Sequence, residues 1–293
     1  LDTVKKEIPQ RTVYFGLLLT GVLWSTSGLL IKLLPWNPMA IASLRSLFAV
    51  LTMLIYMRKK IIINKRTVFG ALPLTIGMCL FIMANKLTTA ANAIMLEYTS
   101  PVLTLVISAI LTHSRIKKRE ILVVTIAMVG IALFFVEKAS AGGMLGNILA
   151  LVAGMSYAVM YYFNATYGKE AMHSMVLGHI FCFLIGLPFV FTEQLQITWV
   201  SAGTIVLMGV FQLGIPSILF ASLMKHTTPF KGVIITMIEP LINPVWVLIF
   251  AGEVPSVLAV IGGLIVIAAI VINIMPQKAN LQPVKYSKSE ISN

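Results

Sequence analysis

The chain has 293 residues, 58% of them hydrophobic and only 11% charged, with a mean hydropathy of +0.95. A soluble domain carries about 25% charged residues, so this balance excludes a soluble enzyme or binding module and defines a polytopic membrane protein. The formal net charge of +12 would suggest nucleic acid in a soluble chain; here its placement along the chain decides, and no nucleic-acid partner is expected.

In chain order the apolar runs span 12–34, 39–57, 67–85, 90–112, 120–137, 143–165, 174–192, 199–224, 230–251 and 255–275. Each is near the ~20 residues that cross about 30 Å of hydrocarbon, and none alternates with the period of two that a barrel strand needs. Only helices and closed barrels satisfy every backbone group in lipid. The expectation is therefore an all-α integral membrane fold of ten transmembrane helices with very short connections. The first run is too long for a signal-peptide core and is followed by no small-residue cleavage site, so it reads as a retained helix; the start at Leu1 reads as a trimmed initiator end. Cys79 and Cys182 both lie within apolar runs and outside any CxxC pair, which makes them small packed hydrophobes.

Charge placement orients the chain. With a cytoplasmic N-terminus and alternating helices, Lys5, Lys6, Arg11, the cluster Arg58 to Arg66, the cluster Arg115 to Arg119, Lys169, Lys225, Lys231 and the tail lysines Lys278, Lys285 and Lys288 fall inside, and Lys86 and Lys138 fall outside. This positive-inside pattern puts both termini in the cytoplasm. An integral plasma (cell inner) membrane location is expected.

The chain also repeats itself. FIMANKLTTAANAIMLEYTSP (81–101) lies over FASLMKHTTPFKGVIITMIEP (220–240) without a gap, matching Phe81 to Phe220, Lys86 to Lys225 and Pro101 to Pro240. GVLWSTSG (21–28) resembles AGMSYAVM (153–160) at a slightly different offset. Two halves are expected, 1–139 and 140–293, the second including a cytoplasmic tail, with EKASAGG (137–143) at the joint. Each holds an odd number of crossings, so the second copy is inserted upside down. Inverted repeats are typical of secondary transporters with a site near the bilayer midplane.

These features resemble a family, the drug/metabolite transporter superfamily in its ten-helix EamA-type branch. The resemblance rests on GVLWSTSG (21–28) with Lys32, SLRSLFAVL (43–51), SPVLTLVISAILT (100–112), EPLINPVWVLIFAGEVPS (239–256) and IGGLIVIAAIVI (261–272). It covers the chain outside both tails. It implies two five-helix bundles around a central cavity formed mainly by helices 1, 3, 4, 6, 8 and 9, and export of small metabolites such as amino acids or related amines. Two departures stand out. Four-helix small multidrug-resistance relatives carry a proton-binding glutamate on helix 1, and Trp24 occupies that place here. The "GE" of GEVPS, which many members have in both halves, is His113-Ser114 in the first.

A charge at mid-bilayer costs roughly 2.5 to 3.5 kcal/mol on insertion scales, so each one should be paired, snorkelling or facing water. Glu97 stands out because Pro101 removes the amide that would bond to its carbonyl, making a polar notch. It reads either as a substrate-amine or proton site or as the ion-pair partner of Arg45 or Lys32. The matched position in the second half is Thr236. Glu239, before Pro240 and one turn before Pro244, reads first as a structural pairing residue. So does Arg45, although it could also bind a substrate carboxylate. Lys32 can snorkel from the outer end of helix 1, and His179 reads as a satisfied histidine before a proton relay. Pro101, Pro240 and Pro244 are the expected hinges.

Trp24, Tyr98, Tyr157, Tyr161 and Trp246 fall in helices 1, 4, 6 and 9, the group that the resemblance assigns to the cavity. Tyr157 and Tyr161 share a helix face. With Asn85, Asn92, Glu97, Asn164 and Gln212 they suit an amphiphilic metabolite or an amine held by cation-π contact. Packing remains the alternative, and it is preferred for Trp246 and Tyr162.

The sole aspartate is Asp2, and HExxH, GxSxG, HxxxxD and GxxxxGK[ST] do not occur. Catalysis and an ATP-driven pump are not expected, and neither is a cofactor or metal. The expectation is a secondary transporter, acting as an exporter by alternating access, for a small-molecule substrate, with the proton as a candidate coupling ion. A facilitative, channel-like permease or a drug-cation efflux protein is the alternative. The lipid bilayer is its environment, and both monomer and homodimer remain open.

Overall fold

A computed structural model of the chain describes residues 8–88, 90–136, 143–192, 195–251 and 256–275, and among these every regular element is helical. The first run forms α1 (Gln10–Trp24) and α2 (Ser27–Lys32), the second α3 (Pro38–Met57) and the third α4 (Lys65–Leu87). The fourth divides into α5 (Ala90–Glu97) and α6 (Ser100–Leu111), and the fifth is α7 (Lys118–Phe135). α8 (Met144–Thr166) and α9 (Gly168–Thr192) follow. The eighth run is α10 (Trp199–Leu207), a π-helical stretch (Met208–Gly214) and α11 (Ile215–Leu223), with a short 3-10 turn at its end. α12 (Pro229–Thr236), α13 (Ile238–Ala251) and α14 (Val257–Ile274) complete the chain.

Eight of these stretches are long and apolar enough to cross a membrane. α7 falls short of that standard because it opens on Lys118, Arg119 and Glu120, and neither α12 (8 residues) nor α13 (14 residues) has span length by itself.

Helix starts are set by local side-chain chemistry. Asn37 accepts from the Met39 amide at 2.8 Å ahead of Pro38, and Asn64 accepts from the Thr67 amide at 2.9 Å while Thr67 accepts in return. Thr198, Thr228 and Ser256 cap α10, α12 and α14 in the same way.

Helices approach one another at small residues, as lipid-embedded helices must when no hydrophobic force drives them together. A Cβ on Gly130 of α7 would lie 2.8 Å from the carbonyl of Gly262 on α14, and one on Gly262 would lie 2.5 Å from the carbonyl of Gly130. Likewise Gly186 of α9 meets Met39 and Ser43 of α3, and Gly178 meets α4 at Ala71. The main pairings read the same when the first five runs are exchanged with the last five: α3 on α9 and α7 on α14, then α4 on α8 matched by α1 on α11, and α8 on α5–α6 matched by α1–α2 on α12–α13. Large apolar side chains that face outward, such as Phe15 (70% exposed), Ile55 (75%) and Phe191 (79%), suit a lipid surface.

One end of the bundle is basic. There Arg119 donates to the carbonyls of Ile272 and Met275, Lys231 reaches the Tyr14 hydroxyl at 3.5 Å, Arg66 pairs with Glu170 at 3.6 Å, and Gly168 packs on Lys225. At the other end Thr88 donates to Asn147 at 2.7 Å, and Gly143 and Gly146 lie against Leu87. Residues 87 and 225 therefore sit at opposite ends of α8, whose 23 residues span about 35 Å.

Candidate functional site: a polar cluster between helix breaks

Interruptions in the helices position the site, and each has a local cause. α5 stops at Glu97 because Pro101 offers no amide to its carbonyl; the turn at Tyr98–Thr99 closes by Thr99 Oγ1 donating to the Leu96 carbonyl at 2.7 Å. α12 gives way to α13 at Met237, where Pro240 does the same to Thr236. Between α1 and α2 there is no proline. There Ser25 and Thr26 donate to the carbonyls of Val22 and Leu23 at 2.6 and 2.8 Å, and the α-helical ladder stops. In the eighth run Pro216 strips the partner from Gln212, and Ile215 reaches back five residues to the Val210 carbonyl. Such π segments favour functional sites.

Glycines bring neighbouring helices onto two of these freed carbonyls. A Cβ on Gly154 of α8 would sit 2.7 Å from the Glu97 carbonyl oxygen, and one on Gly21 of α1 would sit 2.9 Å from that of Thr236. Equivalent helices thus press on equivalent breaks.

Between the breaks lies a polar cluster built from both halves. Glu239 of α13 links its members: Arg45 of α3, Glu97, Tyr98 and Tyr157 of α8 each lie within electrostatic reach of it, and the Tyr98 hydroxyl donates to its carboxylate. Tyr161 meets Thr236 hydroxyl to hydroxyl at 2.5 Å and stands edge-on to Phe220, which in turn packs on Trp24 at 5.4 Å. Glu97, Tyr98, Tyr157 and Glu239 lie deep in the bundle yet keep part of their surface accessible. Two outer clefts, of about 180 and 140 Å³, lie elsewhere, at the basic end.

The EamA-like transporter family profile matches residues 11–136 and again 144–275, nearly the whole described chain. The chain belongs to the EamA-like transporter family. It is an integral membrane transporter. An uncharacterized transporter of Archaeoglobus fulgidus (strain ATCC 49558) is 24% identical over 264 residues, covering 88% of this chain and 94% of that relative. A solved crystal structure of a protein, 14% identical, superposes with a TM-score of 0.76 over 90% of this chain and 98% of its own, which shows a shared fold.

For this EamA-family transporter the residues singled out in the sequence divide into three groups. Trp24, Glu97, Tyr98, Tyr157, Tyr161, Arg45 and Glu239 come together. Others bond elsewhere. Asn92 donates to Thr88 at 3.4 Å at the far end, and Asn164 donates to the Met160 carbonyl at 2.9 Å inside the α8–α9 contact. His179 is buried; its Nε2 meets the Ser217 hydroxyl at 3.0 Å, while its Nδ1 has no hydrogen-bond partner among the described residues. Gln212 is buried on the π segment. The side chains of Lys32, Asn85 and Pro244 lie outside the described set. The ion pair considered between Glu97 and Arg45 is not formed: among the described residues Glu97 has no basic partner within salt-bridge distance, and its nearest charged neighbour is Glu239. The break turns Glu97 toward the second half instead.

Sequence reasoning missed Phe220, Ser217 and Ser25, whose hydroxyl accepts from the Trp246 indole at 2.8 Å. It also missed the helix interruption at Pro216, although the residue four before it, Gln212, was already marked as polar in an apolar run.

Proposed function

We propose that this transporter is a secondary carrier, built as ten crossings in two inverted halves, 1–139 and 140–293, that alternately open the Glu97–Glu239 cluster to either side. The observation that carries the reading is the cluster itself. Charges of both signs and three tyrosines from both halves converge where two proline-freed breaks face each other. A bilayer tolerates such groups only where they are buried against protein or line a water-filled space, and the part of their surface that stays accessible favours the second. The double family match, the exchange-symmetric packing and the opposite placement of residues 87 and 225 support the inverted arrangement. The gathering of arginine and lysine at one end supports cytoplasmic termini in the plasma membrane.

One guanidinium, two carboxylates and an aromatic wall suit a small amphiphilic metabolite that carries an amine and a carboxylate, an amino acid or a close relative. The direction we favour is export. Pro101, Pro240 and Pro244 act as hinges, and Glu97 carries the proton if transport is coupled. Purified protein in liposomes should exchange radiolabelled amino acids across the bilayer without ATP, saturably and with counterflow. Unsaturable, purely electrodiffusive flux would replace this reading with that of a channel-like permease.

A further inference from the structure

Four hydroxyls recur at every fourth position along α6 and at its C-cap, Ser100, Thr104, Ser108 and Thr112, and they run about 18 Å from the Glu97 break toward the basic end. In lipid-embedded helices a serine or threonine ordinarily donates to the carbonyl four residues back, and Thr112 does so, to Ser108 at 2.7 Å. Thr104 and Ser108 do not. Their hydroxyl oxygens are enclosed and have no hydrogen-bond partner, and Thr104 is completely buried. Leaving such a group unpaired costs about 1 to 3 kcal/mol, so two in succession on one helix face mark a surface that meets polar matter. At its outer end the column opens into the cleft of about 180 Å³, whose polar lining includes Ser108, Thr112, Arg115, Tyr162 and Glu120, the last with its carboxylate accepting from the Lys117 amide at 2.8 Å. Arg115 is exposed there, and among the described residues it has no salt-bridge partner. The second half has no equivalent column: at the repeat spacing Ser108 and Thr112 meet Val247 and Ala251.

We infer that the α6 hydroxyl column is one wall of a hydrated path between the central cluster and the basic face, and that the cleft with Arg115 is a waiting site for a small solute bearing a carboxylate. The inference rests on the carrier reading for its inner terminus, the cluster. Hydroxyls lining the path exchange hydrogen bonds with a passing solute without holding it strongly, and the single arginine biases which end of the solute enters first.

The test is thiol labelling in sealed vesicles of known orientation, with Cys79 and Cys182 replaced by alanine and single cysteines at 104, 106, 108, 110 and 112. The probes are membrane-impermeant methanethiosulfonates, one anionic and one cationic. Thr112→Cys, Ser108→Cys and Thr104→Cys should react from the basic side in declining order, while Val106→Cys and Ile110→Cys on the outward face stay silent. After correction for the rates with a free thiol, the anionic reagent should be several-fold favoured at position 108, and Arg115→Gln should remove the preference. If the cysteine-free chain fails to fold, the same rates are read as increments over the native chain. Silence at 104 and 108, or labelling only from the opposite side, overturns the path; an unchanged preference in Arg115→Gln overturns the carboxylate site. Labelling reports water access whether or not liposome exchange succeeds, so a failed carrier and a failed path give different results.

Discussion

The two proline-freed breaks are built alike and charged differently. In the first, the freed carbonyl belongs to Glu97 and the residue before the proline is Ser100; in the second these places are Thr236 and Glu239. The carboxylate has moved three residues, about 4.5 Å along a helix, so that each half supplies one acid and one hydroxyl at opposite places. Glycines 154 and 21 press on both carbonyls at nearly the same separation. Duplication preserved the mechanics of the break, and substitution made its chemistry asymmetric. A carrier with two equivalent states needs the first, and a site that can tell one end of a solute from the other needs the second.

The largest effect should come from the mechanical part. Gly154→Val places a branched side chain on the Glu97 carbonyl and is expected to destabilise the fold by about 1 to 3 kcal/mol or more, seen as a lower unfolding midpoint in detergent. Gly21→Val should match it. Gly203→Ala, where a Cβ would meet nothing within 4 Å, should leave the midpoint in place. A tolerant Gly154 beside an intolerant Gly21 would break the equivalence of the two breaks.

Next comes the chemical part. Glu97→Gln should slow liposome exchange about tenfold or more, the scale of one lost interaction of ~1.4 kcal/mol, and abolish its pH dependence. Glu239→Gln should retain that dependence, because the Tyr98 hydroxyl can still donate to the amide oxygen. Equal loss in both variants would mean that the acids act as one group.

Smaller effects sharpen the contact between the halves. Tyr161→Phe and Thr236→Val each remove the 2.5 Å hydroxyl contact, at a cost of about 0.5 to 1.5 kcal/mol, and the double variant should cost little more than either alone. Arg66→Ala, outside both breaks, removes an ion pair whose arginine is 69% exposed. It should shift stability by about 1 kcal/mol or less.

The sequence made the all-helical membrane class plain, since runs of this length permit little else. The break at Glu97 was legible because a carboxylate and a proline stood together in an apolar run. The break at Ser25–Thr26 was not, because hydroxyl back-bonding makes it and serine and threonine are common in such helices. The π segment was hidden for a similar reason, its hydropathy matching that of the flanking α-helix. α9 begins at Gly168, six residues before the apolar run, since Lys169, Glu170 and His173 lie where the helix leaves lipid and Glu170 meets Arg66. The partners of Glu97 depended on which way the break turned its side chain, and spacing alone carries no record of that.

The central claim is that one cluster faces each side of the membrane in turn. Glu97→Cys, in a chain without other cysteines, can be exposed to an impermeant thiol reagent from one side of sealed vesicles and then from the other. Reaction is expected from both sides, each slowed when a saturating transported solute holds the protein closed. Reaction from one side alone, or from neither, would contradict it.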